Sequence, residues 1–362
     1  MKILLITIHH VVNFGSVLQT YATQKLFEEK GTDIMTLNYI PKRLTFPYRF
    51  NEVFIKSKSP LYKRIVIYLT MEILNKKVFT DFLKRHIKLT SPFYSTDKGR
   101  KKVNADVYMT GSDQVWNSIH NKSVDTTYYW DFVEGKKVAF ASSFGRSDIP
   151  EEEATVISKY LNDYVLLSSR EDTGVKILRK LQKNKSVEQL IDPTLLLKDE
   201  QWRNLAKYKS SDKQRKYVLI YPMSEVDPTL IDVARKIANG IDAEVWMLSP
   251  GLKTYKSCDR TLKFQKPERF LALIDDAACI VTNSFHGTVF AINFNRPFVS
   301  VAPKRFSTRI TSILHLLKLD DRLYSAQLDL NKIMSIDYST ANSILNKERE
   351  KANDFISKIM SL

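Results

Sequence analysis

Residues 278–292 contain the change of pattern that decides the fold of the second half of the chain. They read Ala278-Cys279-Ile280-Val281-Thr282-Asn283-Ser284-Phe285-His286-Gly287-Thr288-Val289-Phe290-Ala291-Ile292. A short β-branched run stops at Asn283-Ser284 and an apolar pattern of helical period follows, which predicts a strand, a tight turn and a helix. His286 is then at a helix N-terminus, where unpaired backbone N–H groups and the helix dipole attract an anion. It either transfers a proton there or caps the helix.

The same alternation of strands and helices extends to both sides of this stretch. The predicted strands lie at 1–8, 34–39, 105–110, 138–142, 165–167, 217–221, 244–248 and 296–301. Helical patterns separate many of them, so we predict an α/β protein with two Rossmann-like domains facing a cleft. The polar segment 198–216 is the predicted boundary. It divides the chain into domains at 1–205 and 206–340, followed by a C-terminal helix at 341–362.

The composition is that of a globular protein. Hydrophobic residues make up 43% of the chain and charged residues 27%, and no run of about eighteen apolar residues is long enough to span a bilayer. The two cysteines, Cys258 and Cys279, lack the spacing of metal ligands and indicate a reducing cytoplasm. We therefore expect a cytoplasmic protein without a bound metal.

The net charge of +16 is concentrated in a basic insert at about 41–102. Residues 41–102 contain 16 Lys and Arg against 4 Asp and Glu, a net charge of +12, with aromatic residues interspersed. A nucleic acid, an anionic membrane surface or a polyanionic substrate would explain this charge, and so would an ordinary lysine-rich surface. Of these partners, we expect the insert to bind an anionic acceptor substrate or the inner face of the membrane.

Polar side chains at the predicted strand-to-helix turns are the candidates for chemistry. They are Asn13 and Ser16; Ser112 and Asp113; Arg170, Glu171 and Asp172; Asn283, Ser284 and His286; and Lys304 and Arg309. Arginine holds a carboxylate or phosphate through two hydrogen bonds, and histidine changes protonation near neutral pH. The chain has no P-loop, no G-x-G-x-x-G, no H-E-x-x-H and no G-x-S-x-G, so the chemistry of those motifs is not indicated.

Five short motifs, in order along residues 1 to about 325, resemble the polysaccharide pyruvyl transferase family. They are Asn13-Phe14-Gly15-Ser16 with Gln19, Gly111-Ser112-Asp113-Gln114-Val115-Trp116-Asn117, Ser169-Arg170-Glu171, Asp192-Pro193-Thr194 and Ser284-Phe285-His286-Gly287. The resemblance implies a GT-B-like fold. It also implies transfer of the enolpyruvyl group of phosphoenolpyruvate to a sugar, which forms a pyruvate ketal and releases phosphate.

Two residues match the family's functional positions directly. His286 corresponds to the histidine of the family's R-L-H-G-like motif. Arg170 corresponds to the arginine that binds the donor, phosphoenolpyruvate. Ser284 stands where many members have arginine, so Arg309 or Lys304 replaces that charge or the donor differs. We expect alanine at His286 or Arg170 to leave folding intact and abolish turnover.

Combining these matches with the turn residues gives a complete set of expected roles. His286 acts as the acid or donates to the departing phosphate, and Asp113 is the base. The donor-binding residues are Arg170, Asn283, Ser284, Gly287, Thr288, Lys304 and Arg309. The acceptor-binding residues are Asn13, Gly15, Ser16, Gly111, Ser112, Gln114 and Trp116. Phosphoenolpyruvate is a co-substrate, no separate cofactor is needed, and the acceptor is a sugar or lipid-linked oligosaccharide of a cell-surface polysaccharide.

Two other functions are compatible with parts of the sequence. A glycosyltransferase that uses a nucleotide sugar would have the same fold, and titration with phosphoenolpyruvate against UDP- and CMP-sugars distinguishes the two. A nucleic-acid-binding protein would use the basic insert and bind in a steeply salt-dependent manner, but the insert has no recognition motif. We therefore expect no nucleic-acid partner.

Overall fold

A computed structural model describes residues 1–56, 59–207, 215–223, 226–249, 251–302, 308–325 and 329–362. The chain divides into two compact units. The first comprises Met1–Leu196 together with Glu348–Leu362, and the second comprises Leu197–Lys347. Each unit contains a wholly parallel sheet, which confirms the predicted fold class of two Rossmann-like domains.

The sheet of the first unit has six strands in the order β2-β1-β3-β4-β5-β6. The strands are β1 Lys2–Ile6, β2 Asp33–Thr36, β3 Val107–Thr110, β4 Lys136–Ala139, β5 Tyr164–Ser169 and β6 Val187–Gln189. The helices of this part of the chain are α1 Phe14–Glu28, α2 Phe46–Phe50, α3 Leu61–Ile67, α4 Lys76–His86, α5 Ser118–Asn121, α6 Glu151–Leu161, α7 Asp172–Leu181 and α8 Pro193–Leu196.

The sheet of the second unit has five strands in the order β11-β10-β7-β8-β9. The strands are β7 Tyr217–Tyr221, β8 Glu244–Leu248, β9 Arg260–Leu262, β10 Cys279–Thr282 and β11 Phe298–Ser300. The remaining helices are α9 Asp199–Ala206, α10 Pro228–Ile241, α11 Pro267–Asp276, α12 Phe285–Asn293, α13 Thr308–Leu316, α14 Leu330–Met334 and α15 Ser339–Met360. Every residue of β7 and β10 is buried, as expected of parallel strands covered on both faces.

The compact units differ from the predicted division at both ends of the second domain. The segment predicted as a polar boundary contains α9, because Trp202 is fully buried and packs edge-on against Phe290 at 5.1 Å. One large aromatic residue is enough to hold a short polar helix on the core. The C-terminal part of α15 belongs with the first unit, where Phe355 lies 6.3 Å from Phe140.

The basic insert is helical, as predicted from its spacing. Two π-helical segments, Asn51–Lys56 and Tyr68–Asn75, follow α2 and α3. The last helix, α4, packs on α1. The ring centres of Phe79 and Phe14 lie 5.1 Å apart, and those of Phe82 and Tyr21 lie 6.3 Å apart. In the part of the chain that the structure describes, no helix is long and apolar enough to cross a membrane.

Candidate functional site

Both sheets reverse their direction of growth at one point, the switch point. In the first unit the chain adds β2 on one side of β1 and then β3 on the other. In the second unit it adds β8 on one side of β7 and later β10 on the other. The connections that leave the two strands at a switch point run in opposite directions and leave a crevice, so open parallel sheets bind ligands there. The candidate residues that follow β1, β3 and β10 lie at these points.

Hydrogen bonds join the loops that follow β1 and β3. Ser16 Oγ donates to Asp113 Oδ2 at 2.6 Å, and Thr7 Oγ1 donates to the carbonyl of Ser112 at 2.8 Å. Asn13 caps α1 by accepting the Ser16 N–H at 3.2 Å. Asp113 has φ +71°, a left-handed conformation that aspartate tolerates better than most residues. The predicted base Asp113 and the predicted acceptor-binding residues Asn13, Ser16 and Ser112 therefore lie together.

Arg170 directly follows β5, and three carboxylates surround its guanidinium. Nη1 donates to Asp192 Oδ2 at 2.6 Å, and Nη2 donates to Asp113 Oδ1 at 3.2 Å. Nε lies 3.7 Å from Glu171 Oε2. Burial by itself disfavours the charge of Arg170, but the attraction of Asp192, Asp113 and Glu171 outweighs burial and raises the pKa of Arg170.

This environment corrects the expectation that Arg170→Ala leaves folding intact. The Arg170 and Asp192 side chains are fully buried, and Asp113 is 8% exposed. Removal of the guanidinium would leave buried carboxylates without their counter-charge, which is strongly destabilising. Through its hydrogen bond to Oδ1, Arg170 restricts the orientation of the Asp113 carboxylate. Its role in binding the donor stays a prediction.

Asp192 and Glu171 are functional candidates to which the sequence analysis gave no role. Asp192 accepts four hydrogen bonds, from Arg170, from Ser112 Oγ at 2.9 Å, and from the backbone N–H and hydroxyl of Thr194. Glu171 Oε1 accepts from Ser143 Oγ and from two backbone N–H groups after β4. Glu171 was already among the candidate residues at the turns. Asp192 follows the apolar pair Leu190-Ile191, which is the signal that would have identified it.

The structure gives packing roles to two residues that we expected to bind the acceptor. Trp116 is 2% exposed and stacks on Tyr129 at 5.5 Å, so its large apolar area is buried in the core of the first unit. A side chain at position 111 would crowd the adjacent strand, because a Cβ on Gly111 would lie 2.6 Å from Leu5 Cδ1.

The other two expected acceptor residues are also largely buried. Gln114 Oε1 accepts from Asn117 Nδ2 at 2.6 Å, which ties the loop after β3 to the start of α5. Gly15 lies buried in the first turn of α1.

In the second unit, Ser284 caps the helix that carries His286. The Ser284 side chain accepts from the Gly287 N–H at 3.4 Å and hydrogen-bonds the Tyr221 side chain at the end of β7. Asn283 Oδ1 accepts from Met223 N at 2.7 Å, which joins the loops after β7 and β10. The predicted strand, turn and helix are therefore present, with α12 starting at the switch point.

Gly287 and Thr288 fit α12 closely against the sheet. A Cβ at Gly287 would lie 2.4 Å from Thr282 Oγ1 and 2.9 Å from Tyr221 Cδ1. Thr288 Oγ1 donates to the Ser284 carbonyl at 3.1 Å and lies 2.7 Å from Ser300 Oγ. This packing holds the helix N-terminus next to the ends of β7 and β10.

Arg309 on α13 provides a cation near the start of α12. Its guanidinium carbon lies 5.7 Å from the centre of the Phe285 ring, which in turn lies 5.1 Å from the His286 ring at a steep angle. All three side chains are buried. Lys304, the other cation expected here, lies outside the described residues. Of the two cations expected here, the structure therefore places Arg309 near His286, with Phe285 in contact with both.

The two clusters differ in the charge they present. The cluster in the first unit combines one arginine with three carboxylates, so its acidic groups exceed its basic ones. The cluster in the second unit combines an imidazole, a guanidinium and a helix N-terminus, all of which favour an anionic ligand. Among the described residues, no group of three or more His, Cys, Asp or Glu side chains is placed to hold a metal ion.

Comparison with known proteins gives one family and a set of related folds. The family described as polysaccharide pyruvyl transferase matches residues 13–305. A search of curated proteins gave no match. Among solved structures, a Listeria monocytogenes protein provisionally described as a UDP-N-acetylglucosamine 2-epimerase is 10% identical, with a TM-score of 0.51 over 99% of this chain and 96% of its own.

Two sugar-related structures have lower TM-scores. Anabaena HepE, solved with UDP and glucose, is 11% identical, with a TM-score of 0.49 over 100% of this chain and 99% of its own. Sucrose-phosphate synthase from Thermosynechococcus elongatus is 10% identical, with a TM-score of 0.47 over 100% of this chain and 99% of its own. At these identities, the likeness to the Listeria protein concerns the fold alone, and it extends over nearly the whole of both chains.

Proposed function

The chain belongs to the polysaccharide pyruvyl transferase family, and we propose that it transfers the enolpyruvyl group of phosphoenolpyruvate to a sugar. The product is a pyruvate ketal, and phosphate is released. The acceptor is a sugar of a cell-surface polysaccharide or of its lipid-linked precursor, and the enzyme works in the cytoplasm at the inner face of the membrane. The observation that carries the proposal is that His286 and Arg309 both lie against Phe285 at the N-terminus of α12.

The donor half of the proposal uses the second unit. Phosphoenolpyruvate carries a carboxylate and a phosphate, and a helix N-terminus and a guanidinium are the groups that bind such anions. Ser284 occupies the cap position and supplies no charge, so Arg309 provides the positive charge that many family members carry at that point of the motif. Asn283 holds the loop in place through Met223.

The acceptor half uses Asp113 in the first unit. Its carboxylate accepts from Ser16 Oγ at 2.6 Å, the Gln114 N–H at 2.9 Å and Arg170 at 3.2 Å. These three donors fix the orientation of the carboxylate. Asp113 accepts the proton of the sugar hydroxyl, and Arg170 and Asp192 hold it in place.

The reaction moves two protons from sugar hydroxyls, and it delivers one proton to C3 and one to the departing phosphate. His286 delivers a proton to C3 of phosphoenolpyruvate, so that C2 acquires oxocarbenium character. A sugar hydroxyl oxygen then bonds to C2 and loses its proton to Asp113. The bond from C2 to the phosphate oxygen breaks, a second hydroxyl of the sugar bonds to C2 to close the ketal, and its proton leaves with the phosphate.

Phosphate release from phosphoenolpyruvate, measured over a panel of acceptor sugars, tests the proposal. His286→Asn should lower kcat by about a hundredfold to ten-thousandfold, the range expected for one acid–base group. Arg309→Leu should raise KM for phosphoenolpyruvate. His315→Asn on α13 is the matched control, because this histidine is 76% exposed, and it should retain wild-type turnover. Wild-type kinetics in His286→Asn would contradict the assignment.

Thermal-shift titration decides between this donor and a nucleotide sugar. Phosphoenolpyruvate should raise the melting temperature of the wild type, and the shift should shrink in Arg309→Leu. Stabilisation by UDP- or CMP-sugars, with none by phosphoenolpyruvate, would instead identify a glycosyltransferase.

A further inference from the structure

The basic insert exposes an unusual number of large apolar side chains. Of the seventeen large apolar side chains exposed in the described part of the chain, eleven lie between Phe46 and Leu74. They are Phe46, Phe50, Ile55, Leu61, Tyr62, Ile65, Val66, Ile67, Leu69, Ile73 and Leu74. Scattered exposed apolar residues are normal, but a concentration of this kind marks a surface that binds something.

Four of the exposed apolar residues of α3 and the following π-helix share one side of the helix. Tyr62, Ile65, Leu69 and Ile73 recur at intervals of three or four residues, and they are 65%, 43%, 47% and 46% exposed. Side chains at this spacing lie above one another on a helix. The 62–73 stripe is therefore a continuous apolar strip that faces solvent.

The insert is fixed to the first unit at its C-terminal end. Phe79, Phe82 and Leu83 of α4 are buried, and α4 packs on α1 through the Phe14–Phe79 and Tyr21–Phe82 contacts. The exposed 62–73 stripe is therefore followed directly by a helix that is packed into the core.

The charge around the stripe determines which partner fits it. Residues 41–102 carry a net charge of +12, and Lys56, Lys63 and Lys77 are exposed beside the apolar residues. A second copy of the same face would bring two such charges together, which opposes self-association. Nucleic-acid phosphates would match the charge but leave Ile65 and Leu69 in water. An anionic bilayer accepts both features, because lysines bind its headgroups while apolar side chains enter the acyl boundary.

We propose that the described residues 46–56 and 59–74 of the insert bind the surface of an anionic membrane by inserting the 62–73 stripe between the lipid headgroups. The exposed lysines draw the insert to the surface, and the apolar side chains supply the part of the binding that salt does not screen. The proposal goes beyond pyruvyl transfer, since the binding involves neither phosphoenolpyruvate nor an acceptor.

Vesicle co-sedimentation of the full chain tests the proposal. The vesicles contain phosphatidylglycerol with phosphatidylcholine, or phosphatidylcholine alone, and no substrate is added. Wild type should bind the anionic vesicles and keep part of that binding at high salt. Ile65→Asn combined with Leu69→Asn should bind at least tenfold more weakly. The control Val156→Asn combined with Leu252→Asn alters two other exposed apolar residues and should bind like wild type.

A cysteine label measures insertion directly. Cys258 and Cys279 are both buried, so a polarity-sensitive dye on Leu69→Cys reports from the stripe. Its emission should shift to the blue on anionic vesicles and be quenched by lipids that carry a shallow quencher. The same dye on Val156→Cys should report water in both states.

Three results would overturn the proposal. The first is equal binding of the Ile65→Asn, Leu69→Asn variant and the wild type to anionic vesicles, which would reduce the contact to charge alone. A dimer of the free wild type that this variant abolishes would make the stripe a self-association surface. Salt-dependent binding to DNA or RNA of similar strength to vesicle binding would make the insert a general polyanion site.

Discussion

Replacement of Arg170 by leucine is the sharpest test of the buried charge cluster. The substitution removes the donor to Asp192 at 2.6 Å and the donor to Asp113 at 3.2 Å, and both acceptors are buried. Breaking a buried ion pair by removing one partner costs about 3–5 kcal/mol. Domains are stable by only about 5–15 kcal/mol in total. Arg170→Leu should therefore lower the free energy of unfolding of the first unit by a large fraction.

The pH dependence of this loss has a defined sign. In the wild type, the folded-state pKa of Arg170 is raised. Its stabilising charge is fully present below the ordinary arginine pKa and is lost only as the pH rises through the still higher folded value, so it does not vary near neutral pH. The stability lost in Arg170→Leu should therefore be nearly constant around neutral pH.

Urea unfolding, with hydrogen exchange of peptides covering 107–117 and 164–196, measures the effect in the first unit. Lys88→Met removes an exposed ion pair with Glu28 in the same unit and should leave the urea midpoint nearly unchanged. Arg170→Leu combined with Asp192→Leu should be more stable than Arg170→Leu alone, because it removes the uncompensated charge. An unchanged urea midpoint in Arg170→Leu would refute the reasoning.

Three further perturbations test individual contacts. Gly287→Ala should destabilise the second unit by about 1–3 kcal/mol in urea unfolding, because a Cβ would lie 2.4 Å from Thr282 Oγ1; a neutral effect would contradict that packing. Ser284→Arg removes the N-cap of α12 and should lower the melting temperature, at a cost of about 1 kcal/mol, without lowering KM for phosphoenolpyruvate. With His10→Asn, the free energy of unfolding should fall less steeply between pH 6.5 and 4. Burial, and to a smaller extent the charge of His9, lowers the pKa of His10 from 6.5 to about 4. The unfolded chain binds the extra proton in that window, so the wild type loses up to about 3 kcal/mol there as the pH falls; an equally steep pH profile in the variant would count against it.

The order of the elements was predictable because it depends on local patterns. The predicted strands at 217–221 and 244–248 coincide with β7 and β8. The start of α12 follows from a cap residue at Ser284 and a change of apolar period. These signals come from neighbouring residues, whose side chains decide whether one face of a helix or both faces of a strand can be buried. The polar helix α9 was missed because its local pattern is weak and its burial depends on one tryptophan.

By itself the sequence determined two parallel α/β halves, a basic helical insert and a histidine at a helix N-terminus. Only the tertiary structure decided which polar groups meet. Arg170 lies 22 residues from Asp192 and 57 from Asp113, yet its guanidinium bonds both. It also decided that Trp116 is buried, while Ile65 and Leu69 are exposed. Periodicity reports which face of an element is apolar, but the partner of a side chain and the cover over an apolar face depend on residues far away in the chain.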